Sequence, residues 1–425
     1  MTDSVHDWRA AGRRFDAVRG PLLVSAGMGV LGVGSYGFLI LAGRTLSGAD
    51  FGRLSALWAA AFGLVGGLSF PFEQEAVRAV AAFGRGPDVT RLAVSLVVTV
   101  ACLGTGTVVW LHHVSPAGDA GLLGDAASAL LIALVGLPFA GLVRGILIGA
   151  ERFAPAGGEL ALEGLLRGGA AVVLFGRSAG LGAFAITLAC APLASAAAFG
   201  GMAARIPRSR APGRSWSLLL RELATLALGS GIALVVLNVG PLLVAILADS
   251  PGAGRFAAGF TLARLPVFFA GPVAASILPR FVRSHGAGSL QPDVRRAVLL
   301  LLPVVAPVAL ALGVLTPVGV SLLYGGRYQS AYSVTTVLAL SAGVHLVDIV
   351  VQSSLLAADR RGRIVAAWLT GLAVLVALAA VVPGPVDIRV AIAYLISAIV
   401  TGAVMMLPTN GLRVRSGRLS PAPAG

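Results

Sequence analysis

The feature that most constrains this chain is a succession of apolar runs of about 20 residues, the length at which an α-helix rising 1.5 Å per residue crosses roughly 30 Å of hydrocarbon. Twelve follow one another, near 20–43, 54–73, 91–111, 126–150, 157–176, 179–202, 221–248, 256–279, 296–323, 331–357, 362–382 and 388–408. Hydrocarbon offers the backbone no hydrogen-bond partner, so each run must satisfy its own amides as a helix. With 57% hydrophobic and only 12% charged residues in 425, and a mean hydropathy of +0.91, too little polar surface remains to coat a water-soluble globule. The expected class is all-α integral membrane protein with about 12 transmembrane helices.

Arginine placement orients the helices, because short translocated loops are poor in positive charge. With the N-terminus inside, 23 arginines fall on inner segments, six (Arg44, Arg53, Arg177, Arg255, Arg327 and Arg389) outside, and three (Arg144, Arg167 and Arg264) within spans. An even number of spans places both termini in the cytoplasm. The formal net charge of +14 is what this asymmetry requires, and no folded basic domain presents it to nucleic acid, so a nucleic-acid partner is not expected. Cys102 and Cys190 both lie within spans, which gives neither a disulfide framework nor a metal site, and no cofactor is indicated. The first run is followed by no small-residue cleavage site and reads as a retained span. Before it, "SVHDWRAAGRRFDAVRG" places Trp8 and Phe15 seven residues apart, as in a surface amphipathic helix or a basic tail. The C-terminal "RLSPAPAG" is Pro/Ala-rich and reads as disordered.

The chain repeats itself. "GPDVTRLAV" (86–94) answers "QPDVRRAVL" (291–299) at an offset of 205, Gly52-Arg53 and Arg78 answer Gly254-Arg255 and Arg280 at 202, and "RGILIGAER" (144–152) answers "QSSLLAADR" (352–360) at 208. Offsets that grow in chain order are those of a duplicated six-span unit. Because six is even, the halves share one orientation and are related by a pseudo-twofold axis along the membrane normal, enclosing a central cavity. The expected division is a cytoplasmic N-terminal segment (1–19), an N-lobe (20–204), a cytoplasmic linker (205–220), a C-lobe (221–408) and a cytoplasmic tail (409–425).

Charges inside spans are costly and mark interior or cavity positions. Arg144 lies six residues from the inner end of its span, about 9 Å deep, at the same depth as Glu163 on the next span. Glu159, Glu163 and Arg167 recur four residues apart and share a helical face. Arg167 and Arg264 lie deeper still. Each of the three arginines is either a cavity group for an anion or one half of an internal ion pair, and a guanidinium suits phosphate because its planar fork binds two oxygens and keeps its charge. In the second half, His345, Asp348 and Gln352 also share a face. Asp348 reads as a protonatable or cation-binding coupling group, or as the partner of a cavity arginine such as Arg264. Glu73, Glu75 and Arg78 fall at the inner end of the second span, where they either face solvent or gate the cavity by pairing with the other lobe, for instance with Arg280.

"TLSGADFGRLSAL" (45–57), "EQEAVRAVA" (73–81) and "LLYGGRYQSAYSV" (322–334) make the chain resemble the polysaccharide-biosynthesis flippases of the multidrug/oligosaccharidyl-lipid/polysaccharide exporter superfamily. The resemblance implies alternating access between two six-helix lobes, often with a cationic cavity. It also implies a bacterial plasma membrane, export of a lipid-linked oligosaccharide or polysaccharide precursor, and association with polymerase or glycosyltransferase machinery. It carries no catalytic motif. A cation-coupled multidrug exporter of the same superfamily is the alternative, although spans one and three contain no carboxylate, and a non-transporting scaffold is the third reading. A membrane glycosyltransferase would place acidic residues on a substantial outer loop. The richest loop, "HHVSPAGDAGLLGD" (112–125), has no convincing ligand spacing, so no enzymatic activity is expected.

Overall fold

Each apolar run closes its backbone hydrogen bonds within itself. The computed structural model describes residues 3–114, 120–209, 213–248, 250–268, 290–358 and 360–407, and among these the chain is almost entirely helical. The first lobe comprises α1 (Asp3–Thr45), α2 (Gly48–Ala59) continued through a π-helical stretch (Ala60–Val65) into α3 (Gly66–Phe83), then α4 (Pro87–Val114), α5 (Ala120–Gly149), α6 (Phe153–Gly176) and α7 (Leu181–Ala204). The second comprises α8 (Trp216–Leu226), a π-helical stretch (Ala227–Gly231), α9 (Ile232–Asn238), α10 (Gly240–Leu247), α11 (Ser250–Ala263) and α12 (Leu265–Phe268). It is completed by α13 (Leu290–Tyr324), α14 (Tyr332–Ala357), α15 (Arg361–Val381) and α16 (Val386–Met406). Counting helices joined end to end as one, these are two lobes of six. Serine caps fix two starts: Ser47 accepts from the Asp50 amide at 3.1 Å and Ser215 from the Leu218 amide at 3.3 Å.

Among the described residues ten helical stretches are long and apolar enough to cross a membrane, and the two remaining expected spans differ for physical reasons. The fifth, α6, is long enough but carries Glu159, Glu163 and Arg167 within it. The eighth breaks at Arg264, between α11 and α12, and continues into residues outside the described set. The protein is thus a multi-pass membrane protein whose departures from a clean apolar helix coincide with its buried charges.

Helices pack closely where glycines repeat. Along α1 and α6, Gly27 meets Gly157 and Gly34 meets Gly164; a Cβ on Gly34 would lie 2.1 Å from the Gly164 carbonyl oxygen, so any side chain there separates the helices. In lipid, where apolar burial drives no association, such backbone proximity supplies the packing. The lobes touch at both ends of the cavity. On one side a Cβ on Gly254 of α11 would sit 2.3 Å from the Gly48 oxygen at the start of α2, and Phe51 packs edge-on against Tyr328 at 5.2 Å. Arg44 adds bonds to the carbonyls of Leu322 and Leu323, each at 2.6 Å. On the other side, the linker face, where residues 205–209 and 213–215 lie, Gly67 and Gly231 approach backbone to backbone.

Candidate functional site: a cavity with unequal walls

Between the lobes lies a cavity of about 450 Å³, lined by residues of α1, α2, α3, α5 and α6 on one wall and of α9 to α12 on the other. The π-helical stretch Ala60–Val65 contributes Phe62 to its lining. A π turn opens the helix where a side chain or ligand needs room, and here Phe62 and Gly66 face Leu234 and Asn238 across the interface.

The first-lobe wall carries five charges bound to one another. The Arg144 guanidinium donates to Glu159 at 2.8 Å and to Glu73 at 3.1 Å, and stands 3.7 Å from Glu163. Arg167 donates to Glu163 and, at 2.6 Å, to the Ser35 hydroxyl, while its guanidinium lies 5.5 Å from the Trp58 ring and 5.0 Å from that of Phe62. Glu159 also accepts from Ser195 at 2.9 Å. Three carboxylates oppose two guanidiniums, so this wall has one more acid than base. Glu73, expected at an inner gate or in solvent, turns into the cavity and pairs with Arg144 of its own lobe. The reason is helical pitch, since Glu73 and Glu75 are two residues apart and so point about 200° away from each other.

The second-lobe wall is built differently. Arg264, 5% exposed, projects from the break between α11 and α12 and packs against two rings, 4.8 Å from the centre of Phe260 and 4.7 Å from that of Tyr394. Its Nη1 and Nη2 are buried without a hydrogen-bond partner among the described residues. The pairing of Asp348 with Arg264 is corrected too. Asp348 lies instead 3.4 Å from His345 on the same helix, in a contact whose angle makes no hydrogen bond, and both side chains are buried. The His345 ring stacks on Trp368 and meets Tyr394 edge-on at 6.5 Å, so Tyr394 touches both His345 and Arg264. Gln352 does not mirror Arg144 across the repeat; it accepts from the Trp368 indole at 2.6 Å and borders a smaller pocket nearer the linker face.

That face holds a second charge cluster. Glu75 binds Arg78 at 3.0 Å, and Arg78 pairs with Glu222 of the second lobe. Arg214, in the segment between the lobes, donates to Glu75, Asp88 and Glu222 at once. Burial works against its charge, yet the hydrogen bonds of Asp88 and Glu75 and the field of both carboxylates hold its guanidinium above the ordinary arginine range. The expected partner Arg280 lies outside the described residues. Sequence reasoning passed over Arg214, Asp88 and Glu222, the cluster's other half. Asp88 was visible as the acid of the repeated "PDV" motif, but nothing in the linker distinguishes Arg214 from its neighbouring arginines. The aromatic holders Trp58, Phe62, Phe260 and Tyr394 were missed as well, for lone aromatics in apolar spans carry no pattern.

No protein-family model and no curated protein sequence matches the chain. Solved structures do. A MOP superfamily transporter from Pyrococcus furiosus, described by a binding pocket of reverse polarity that suggests a different function, superposes with a TM-score of 0.63 at 15% identity, covering 91% of this chain and 94% of that one. A variant of the Vibrio cholerae MATE transporter VcmN gives 0.64 at 14% identity over 92% and 94%. An outward-facing multidrug resistance MATE transporter gives 0.59 at 14% over 91% and 94%. The chain therefore has the fold of the MATE transporters of the MOP superfamily, two lobes of six helices.

Proposed function

We propose that this protein is an alternating-access membrane transporter whose cavity takes an amphipathic substrate with an anionic group, and that the substrate is a lipid-linked oligosaccharide or polysaccharide precursor. The observation that carries the reading is Arg264: a buried guanidinium on the cavity wall, packed on two rings and with two nitrogens unbonded among the described residues. A charge kept in such a place without a carboxylate gains most from an anion that arrives with the substrate, and the guanidinium fork matches phosphate oxygens. Arg144 and Arg167 border the same cavity but are already bonded to carboxylates, so they shape the wall and Arg264 receives the anion.

The second reading, a cation-coupled multidrug or small-molecule exporter, draws support from two observations. Its aromatic lining suits varied apolar ligands, and the surplus acid of the first-lobe wall is the kind of group that takes up a proton or metal cation. The fold likeness to MATE transporters agrees with a transporter in either case.

The deciding experiment uses cells lacking the protein, complemented with the intact chain or with Arg264→Gln. Accumulated lipid-linked glycan and lost surface polymer, restored by the intact chain only, are expected. Normal polymer with raised sensitivity to cationic drugs would overturn the flippase reading in favour of the exporter.

A further inference from the structure

On the linker face, away from the central cavity, a crevice of about 800 Å³ runs between α4, α5 and α7. Its mouth is basic. Arg85 and Arg208 leave adjacent backbone positions, since the two strands of chain form a parallel bridge in which the Ser209 amide donates to the Arg85 carbonyl at 3.0 Å. Arg91 stands beside them at the start of α4, with Asp88 3.5 Å from its guanidinium, and no carboxylate is among the described residues that line the crevice. Its floor is apolar, formed by Val89, Val143, Ile146 and Phe139. Phe139 lies ten residues before the end of α5 at Gly149, so the crevice reaches about 15 Å into the membrane. The face of α4 beyond it, with Val94, Val97 and Val98 exposed, is a surface for lipid.

We propose that this crevice binds an anionic phospholipid, its phosphate on Arg85, Arg91 and Arg208 and its acyl chain along Val143, Ile146 and Phe139. A basic mouth at the interface above an apolar slot along the membrane normal has the polarity of a lipid and not of a soluble anion, which would leave the slot unfilled. Arg208 is exposed and reaches its headgroup at no cost to existing bonds. Arg91 connects the lipid to the lobes, because it also donates to the Arg214 carbonyl, and the Arg214 side chain ties Glu75 and Asp88 to Glu222. Occupancy of the crevice therefore steadies the segment that joins the two halves.

The test is native mass spectrometry of the full chain released from nanodiscs containing equal parts phosphatidylglycerol and phosphatidylcholine. The intact protein is expected to retain phosphatidylglycerol preferentially. Arg208→Gln and Arg85→Gln are each expected to cut that preference about fivefold, the effect of roughly one interfacial arginine. Arg152→Gln, an exposed arginine on the same face outside the crevice, is expected to leave it unchanged. Thermal unfolding in the same discs checks that each variant is folded. Equal retention of the two lipids, or the same loss from Arg152→Gln, overturns the proposal. Displacement of the lipid by millimolar inorganic phosphate, with Phe139→Ala without effect, would make the crevice a soluble-anion site and overturn it equally.

Discussion

The two walls of the cavity solve the same problem in opposite ways. Both keep arginine where hydrocarbon would surround it. The first lobe neutralises Arg144 and Arg167 with Glu73, Glu159 and Glu163, whereas the second sets Arg264 against Phe260 and Tyr394 and, among the described residues, leaves two nitrogens unbonded. A paired arginine belongs to the folded structure, and removing it strands its carboxylates. An unpaired one contributes little to folding and is held for something that comes and goes. Burial alone does not separate the two cases, since all three arginines border one cavity.

The largest expected effect breaks the first wall. Arg144→Met leaves the half-buried Glu73 and the buried Glu159 without their cation and should cost about 3–5 kcal/mol, read as a lowered unfolding midpoint in detergent. The same change at Arg264 should leave that midpoint level or raise it, because it removes a buried charge with no partner; a drop as large as that of Arg144→Met would sink the contrast. Arg264→Met should instead weaken binding of a phosphate-bearing substrate by roughly 10–100-fold, the worth of charge-assisted hydrogen bonds, measured by titration against purified protein. On the linker face, Arg214→Gln, which loses bonds to three carboxylates, should cost about 1–3 kcal/mol. Arg78→Gln, 48% exposed, should cost no more than about 1 kcal/mol, and the ratio between them tests whether Arg214 is the principal tie. The smallest effect sharpens the charge count. Glu73→Gln, which keeps a neutral hydrogen-bond acceptor towards Arg144, should change stability by only about 1 kcal/mol, since two carboxylates remain for two guanidiniums, and a large loss would mean that all three acids are needed.

Part of the site was legible from spacing. Glu163 and Arg167, four residues apart on one helix, share a face by helical geometry, and they bond. Other pairings were not legible. Glu73 reaches Arg144 across 71 residues of sequence, and Arg214 reaches Glu75 across 139. The repeat placed Gln352 opposite Arg144, yet Gln352 bonds the Trp368 indole. A duplicated backbone keeps its helix order while its side chains take new partners. Asp348 and Arg264 looked matched by opposite charge, but Asp348 lies against His345 and the guanidinium against Phe260 and Tyr394.

What the sequence determined by itself was whatever depends on one helix at a time: apolar runs of spanning length, their even number, the duplicated order and the place of Arg144, Arg167 and Arg264 within spans. These follow from helical rise and from the cost of charge in hydrocarbon, which need no knowledge of neighbours. Tertiary structure alone decided which arginines are neutralised and which is not, that Glu73 faces the cavity while Glu75 faces the linker, and that Arg214 joins both lobes. Ion pairing falls off over a few ångströms, so it is set by which helices lie side by side and how each is rotated, and only the packed bundle fixes that.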